Sequence, residues 1–364
     1  MIRKLLKRPS AVVALCIIAI TCFVSVFAYV LAPDNTPSAN TMIVELGAKQ
    51  PGFSKQLLYI PISGYQQHGN RFFEWFNGTP SAYKAIPING YWFNSENVVV
   101  RHYVDNGIED TIIYPLTQLV PQGIASVTAQ QDHLLKHNIK TRTFYLGTDR
   151  YSRDILSRLL VGSRVTIAVG FIAVLLSLTI GIFLGAIAGY FGGWADNIVM
   201  WFINILYAIP TLLFVFAITL TIGKGFWEIF IAIGLSMWVG AARLIRGQVM
   251  ALREMEYVSA AKTLGIGDMR IIFRHILPNI TGPIMVIAAG NFATAILIEA
   301  GLSFLGFGVQ PPNPSWGLMI KEHYNFLITG RPLLALIPGI AIMLLVYAFN
   351  ILGNALRDVL DVKE

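Results

Sequence analysis

Residues 165–195 read VTIAVGFIAVLLSLTIGIFLGAIAGYFGGWA and contain no charged side chain. A bilayer core of about 30 Å needs roughly 20 apolar residues in a helix, so this stretch is long enough to cross it. Gly181, Gly185 and Gly189 recur at a spacing of four within it. In lipid that spacing lets two helix backbones approach closely, because dispersion packing replaces the hydrophobic drive between helices. The stretch therefore predicts a helix packed in a bundle.

Working outward, further uncharged stretches run over 9–33, 197–223, 276–298 and 332–356, and a shorter one over 226–242 tolerates Glu228 near one end. Counting the last gives six spans. The composition agrees: 55% of residues are hydrophobic and 13% charged, about half the charged fraction of a soluble domain. The expected fold is an all-α integral membrane protein of six transmembrane helices, with a mixed extracytoplasmic domain inserted after the first.

Six spans place both termini on one side, and basic residues in short loops say which. Arg3, Lys4, Lys7 and Arg8 precede the first span, Arg243, Arg246, Arg253, Lys262, Arg270 and Arg274 follow the fourth, and Arg357 and Lys363 follow the last. The opposite short loops hold only Lys224, Lys321 and Arg331. Both termini are thus expected in the cytoplasm of a bacterial inner membrane protein, surrounded by lipid. Dispersal of the basic residues among spans and loops, with no single stripe, argues against nucleic acid as the partner of the +7 net charge. Cys16 and Cys22, six apart in the first span, read as small hydrophobes and not as a disulfide or thiolate metal site. A cleavable signal peptide over 1–32 is the competing reading of the first span, but the apolar run is long for one.

Residues 34–146 differ from everything after them. Turn signals at Pro51-Gly52, Asn77-Gly78, Asn89-Gly90 and Asn106-Gly107 separate β-prone runs such as 97–100 and 111–114. His133 and His137 could share a helix face, but without a third ligand at a telling spacing they read as solvated loop histidines, and no metal site is expected. Over 147–161 an amphipathic helix is expected on the outer membrane face, capped by Thr148 or Asp149, with Asp154 and Arg158 spaced for an ion pair.

The loop over 243–280 carries the most specific pattern. Residues 256–265 read EYVSAAKTLG and 272–279 read IFRHILPN. This predicts a short helix with small residues at Ser259, Ala260 and Ala261 and an apolar face at Tyr257, Ala261 and Leu264. Gly265 stands where a helix C-terminus turns, Asp268 where the next helix could be capped, and Leu277 and Pro278 where the chain re-enters the membrane. A short helix with such a face and no core of its own needs a partner groove.

These residues resemble the signature loop of ABC-importer permeases, Glu-Ala-Ala, three residues, Gly, nine residues, Ile, one residue, Leu-Pro. Ser259 stands where that signature has Glu and His275 where it has Ile, while Ala260, Ala261, Gly265, Leu277 and Pro278 keep their register. Further stretches are similar to the C-type subunits of the oligopeptide, dipeptide and nickel permease family: 146–149 with Arg153, Asp154 and 156–158, then 189–193, 272–279, 299–308 with 311–317, and 348–350 with Arg357 and Asp358. Ser152 replaces the usual Gly and Asn354 a frequent Asp. The likeness is close over about 144–361 and weak over 1–31. It implies an importer in which this chain pairs with a homologous B-type permease. Two ATP-binding subunits would dock on the loop through Glu256, Tyr257 and their neighbours, and an extracytoplasmic substrate-binding protein would deliver peptide. The chain would bind no cofactor itself, ATP being used by the partner subunits.

Glu299 is the one acid deep in a span. It could line a substrate path, or it could accept hydrogen bonds from the glycine-rich turn over 301–308; the turn's need for satisfied backbone donors favours the second. No phosphate-binding loop and no catalytic constellation is present, so no enzyme activity is expected. The implied organisation is 1–33, 34–146, 147–161, a permease core over 162–356 containing the 243–280 loop, and a tail over 357–364. Two rivals are an ion-coupled transporter, which should carry mid-membrane ionisable groups, and a membrane signalling or mechanotransmission protein acting through the inserted domain.

Overall fold

The computed structural model describes residues 2–62, 71–121, 123, 124, 126–223 and 225–361, so Lys224, Lys363 and the side chain of Arg3 lie outside the described residues. The chain forms two compact units. One holds Met1–Val26, Ser163–Tyr324 and Ala335–Glu364; the other holds Phe27–Gly162 and Asn325–Leu334.

The first span opens on Pro9, whose missing N–H costs nothing at a helix start, and runs as α1, Pro9–Val26. Regular helix stops there, short of the expected 33, with only a brief turn at Ala28–Leu31 beyond. Leu5 and Ala11 bury against Ala355, Leu356 and Val359, and Arg8 pairs with Asp358, so the two chain ends lie together in the helical unit.

The second unit is built on an antiparallel sheet of β1 (Phe53–Pro61), β2 (Tyr83–Asn94), β3 (Asn97–Asp105), β4 (Ile108–Pro115) and β5 (Ile139–Phe144), in the order β4-β3-β2-β1-β5. Leu58, Ile88, Val98 and Val100 pack with Leu116, Leu119 and Leu134 in one core; Leu57, Tyr103 and Phe144 pack with Ile43 and Leu46 in another. Asn106-Gly107 makes the β3–β4 hairpin, with Gly107 at φ +81°. Asn89-Gly90, read as a turn, is instead a bulge inside β2, where the register shifts between Ile88 and Gly90. A bulge uses the same glycine freedom without reversing the chain. His133 ends α2, Val127–His133, and its ring lies 4.4 Å from that of His137. Among the described residues no third ligating side chain joins them.

The separate amphipathic helix expected over 147–161 is not formed. Asp149 closes a loop, accepting from the backbone N–H groups of Tyr151 and Arg153 and from Arg153 Nε at 2.6 Å. Asp154, not Asp149, caps the helix, taking the Ser157 N–H at 3.2 Å. Burial pushes the Asp154 carboxyl above the usual range, against the lowering effect of its Ser157 hydrogen bonds. Arg158 approaches Asp149 and not Asp154, at 4.0 Å. These charged groups are buried, not solvated. From Ile155 one helix, α3, runs unbroken to Phe191, since no proline interrupts it.

After Gly192 and Gly193, both at positive φ, come α4 (Gly193–Tyr207) and α5 (Thr211–Ile222), bent by 96°. One helix was expected over 197–223; Pro210 supplies no N–H and disfavours helix at the residue before it, which accounts for the break. Then follow α6 (Phe226–Arg253), α7 (Glu256–Thr263), irregular helical turns over 268–280, α8 (Thr281–Leu305), α9 (Trp316–His323) and α10 (Leu333–Asp361). Among the described residues five helical stretches are long and apolar enough to cross a membrane, and the α4–α5 pair makes a sixth if it counts as one span.

The core of this unit joins Val169 and Ala173 of α3, Val215 of α5, Ile229, Phe230 and Ile233 of α6, and Ala295 and Leu302 of α8. The glycine stripe of α3 faces α6. A β-carbon on Gly181 would lie 2.6 Å from Ala241 Cβ, one on Gly185 2.5 Å from the Ala242 carbonyl oxygen, and one on Gly189 2.7 Å from that of Arg246. A side chain there must push the helices apart, which in a packed core costs about 1–3 kcal/mol or more. Gly185→Leu should therefore lower the detergent-extracted melting temperature and the yield of folded protein. Gly247→Ala, on α6 with open space around it, should leave both unchanged in the same thermal scan.

Candidate functional site

The loop segment hangs from the end of α6, which continues past the expected limit of 242 because Arg243, Arg246 and Arg253 find partners on their own chain. Arg243 stacks over the Tyr207 ring at 4.2 Å and donates to Asn204. Arg246 grips Asp196 with both Nε and Nη2, and Arg253 donates to the Tyr190 carbonyl at 3.1 Å. These contacts hold α6 against α3 and α4.

On α7, Val258 and Ala261 are buried against Ile245, Val249 and Ile271. Ala261 thus faces the protein's own core and is not part of an outward face as expected. Glu256, Tyr257, Ser259, Ala260 and Leu264 are exposed, Leu264 at 80%. Gly265 has φ +73°, its N–H donates to the Lys262 carbonyl, and Ile266 N–H donates to that of Ala261. That pair of bonds is a Schellman cap, which needs a left-handed residue where Gly265 stands. A β-carbon on Gly265 would meet nothing within 4 Å, so the demand is on backbone conformation alone. Asp268 does not cap the next helix, whose N-cap is Gly267; its carboxylate accepts instead from the Tyr190 hydroxyl at 2.6 Å.

Leu277 is half-buried and Pro278 exposed, in a tight turn over 277–280. Asn279 Nδ2 donates to the Tyr257 hydroxyl at 3.4 Å, so the two halves of the pattern meet. Met269 and Phe273, absent from the expected site, are also exposed and line an apolar groove with Ile182, Phe183 and Ile187 of α3. Their spacing of four, which puts them on one helical face, was the available signal.

Glu299 stands apart, in α8 about 27 Å from its start. It is fully buried, and its Oε1 accepts from Ser303 Oγ at 2.6 Å; among the described residues Oε2 accepts no hydrogen bond, although the Ser315 hydroxyl is its other polar neighbour. Of the 301–308 stretch the Ser303 hydroxyl uses it, but the backbone of the turn does not. Phe307 and Gly308 N–H groups donate to Leu302 and Gly306 N–H to Ser303, so the backbone donors are met by backbone carbonyls.

Residues 181–363 match the family described as binding-protein-dependent transport system inner membrane component. The chain belongs to this family. The permease is 41% identical over 219 residues to the glutathione transport system permease protein GsiD of Pectobacterium atrosepticum, covering 60% of this chain and 72% of the relative. It is 44% identical, with the same coverage, to the dipeptide transport system permease protein DppC of Alkalihalophilus pseudofirmus. Among solved structures it is similar to the inward-facing MetNI methionine ABC transporter, with a TM-score of 0.46 and 19% identity over 56% of this chain and 96% of that one. The permease is a multi-pass inner-membrane subunit of an ABC importer of the peptide family, working with ATPase and substrate-binding components; ATPase activity resides in separate subunits, and this chain is not an enzyme. The family match begins after the last strand of the sheet, at residue 181.

Replacing Glu299 by Gln keeps the acceptor for Ser303, so Glu299→Gln should assemble and import at near wild-type rates. Glu299→Leu strips the partner from a buried hydroxyl, a loss of about 1–3 kcal/mol, and should lower the melting temperature. A gel-filtration and uptake assay checks both.

Proposed function

We propose that this permease is the C-type half of a peptide importer, paired with a homologous B-type permease and served by two ATP-binding subunits and an extracytoplasmic binding protein. The ATPases use ATP; this chain transmits their movement. The loop over 243–280 is the coupling element, with Glu256, Tyr257, Ser259, Ala260, Leu264 and Gly265 facing the ATPase, Ala261 and Leu277 seating the segment on the bundle, and the exposed Pro278 turning the chain back towards the membrane. The observation that carries this reading is the Schellman-capped α7, held inward by Val258 and Ala261 and exposing Leu264 and Tyr257. Short peptides are the proposed substrates, in line with the glutathione and dipeptide systems of the similar permeases. Glu299 is a structural acid.

The reading includes six spans with the bent α4–α5 pair as one, termini and tail (357–364) in the cytoplasm, and 34–146 outside, between the first span (1–33) and the permease core (162–356). The Arg8–Asp358 pair supports termini on one side. With Cys16 and Cys22 replaced, Asn106→Cys should react with an impermeant thiol reagent in intact cells and Ser259→Cys only after lysis. Labelling of Ser259→Cys from outside reverses the topology.

Coupling is tested by two variants. Leu264→Glu puts a charge on the docking face, and Gly265→Val forces a β-branched residue into a left-handed conformation at about 1–2 kcal/mol. Both should insert and pair with the B-type subunit yet lose the ATPases on purification, whereas Gly265→Asn, which tolerates that conformation, should retain them. Co-purification of both ATPases with Leu264→Glu and Gly265→Val, together with normal uptake, sinks the docking role.

A further inference from the structure

The bend between α4 and α5 falls inside a stretch whose hydropathy is that of a membrane span. At such depth a broken helix persists only where its freed backbone groups meet protein or a water-filled cavity. Among the described residues, the carbonyls of Tyr207, Ala208 and Ile209 accept no hydrogen bond. Tyr207 and Ile209 border a cavity of about 270 Å³ lined also by Ser236 and Gly240 of α6 and Asn291 and Thr294 of α8. Ser236 and Asn291 each lie ten residues into their helices, about 15 Å along each, well away from the ends.

The hydrogen-bonding bias of this chamber follows from what its side chains have already spent. Ser236 Oγ donates to the Ile233 carbonyl and Thr294 Oγ to that of Gly290. Asn291 Nδ2 donates to Ser177 Oγ, which itself donates to Val174. Both hydroxyl donors and one of the two Asn291 Nδ2 hydrogens are committed, which leaves lone pairs on the two hydroxyl oxygens, on Asn291 Oδ1 and on the carbonyls at the break. The donors still facing the chamber are the second Asn291 Nδ2 hydrogen, the hydroxyls of Tyr207 and Thr211 and the Thr211 backbone N–H. No charged side chain lines the chamber among the described residues; Arg243, on the Tyr207 ring, is engaged with Asn204.

We infer that this chamber is a solute-contact site in which Asn291, Ser236 and Thr294, with the carbonyls at the α4–α5 break, accept hydrogen bonds from backbone amide N–H groups of a peptide in transit. This rests on the permease reading above and adds the atoms that touch the solute. Neutral acceptors read the peptide backbone without regard to side chain, and without an ion pair to retain it. Gly240 keeps the wall low, since a β-carbon there would already touch the Tyr207 hydroxyl at 3.9 Å.

The test uses the complete importer in proteoliposomes at saturating binding protein, with trialanine and its analogue N-methylated at both peptide nitrogens as probes. Loss of hydrogen bonds to the solute should make wild-type importer move the analogue about tenfold more slowly. Asn291→Leu and Thr294→Val should slow trialanine towards the analogue's rate and leave the analogue unchanged. Thr294→Cys, in a background lacking Cys16 and Cys22, should react with a small neutral maleimide and be protected by trialanine, while Met343→Cys on an exposed apolar face should be unprotected. An analogue-to-trialanine ratio identical in wild type and both variants, or a Thr294→Cys thiol that stays unreactive in an importing complex, overturns the inference while leaving the permease reading intact. A wild-type complex that imports neither probe overturns the peptide reading beneath it.

Discussion

The near-contact of the α3 and α6 backbones at Gly181, Gly185 and Gly189 governs much of what the permease core does. Lipid gives two apolar helices little reason to associate, so their adhesion comes from dispersion at van der Waals distance, which only small residues allow. The fit also fixes register. With Gly189 against the Arg246 carbonyl, Arg246 meets Asp196 and Arg253 reaches the Tyr190 carbonyl. Those contacts carry α6 beyond the apolar zone, and its end in turn seats α7 through Val249 and Val258. The exposed residues of α7 are therefore positioned by a row of missing side chains several turns away.

The sequence made the apolar spans legible because charge is so costly in hydrocarbon that its absence marks them. What it obscured were features to which hydropathy is blind. The α4–α5 break lies in an uninterrupted apolar run, and only Pro210 hinted at it. The length of α6 was hidden because Arg243 and Arg246 looked like a boundary, whereas partners on α4 let them ride on a continuing helix. Over 147–161 charged side chains suggested a solvated face, yet Asp149 and Arg153 satisfy each other in a buried loop. In the sheet unit, Asn89-Gly90 carried a turn signal that a bulge uses equally well.

The coupling segment was more legible, since Gly265 can be read directly as a left-handed cap and the spacing to Leu277 and Pro278 is long enough to be specific. Its facing was not. Positions 257, 261 and 264 form one helical stripe and 258 and 261 begin another, both apolar; nothing short of the neighbouring α6 chooses between them. Val258 won because Ile245 and Val249 leave a place for it. Glu299 likewise could be found as an isolated acid, but its partner Ser303 is one helical turn away in the same helix, and the turn it was thought to serve is self-sufficient.

The clasp between Arg8 and Asp358 joins residues 350 positions apart, and it has a bearing on biogenesis. Leu5 and Ala11 are translated some 350 residues before Ala355, Leu356 and Val359, against which they settle. Until α10 is in place that face of the first helix has no protein to pack on, while the sheet unit encoded between them is made. The contact is therefore a late step in the assembly of the bundle, and it ties the first helix to one that cannot be present when it inserts.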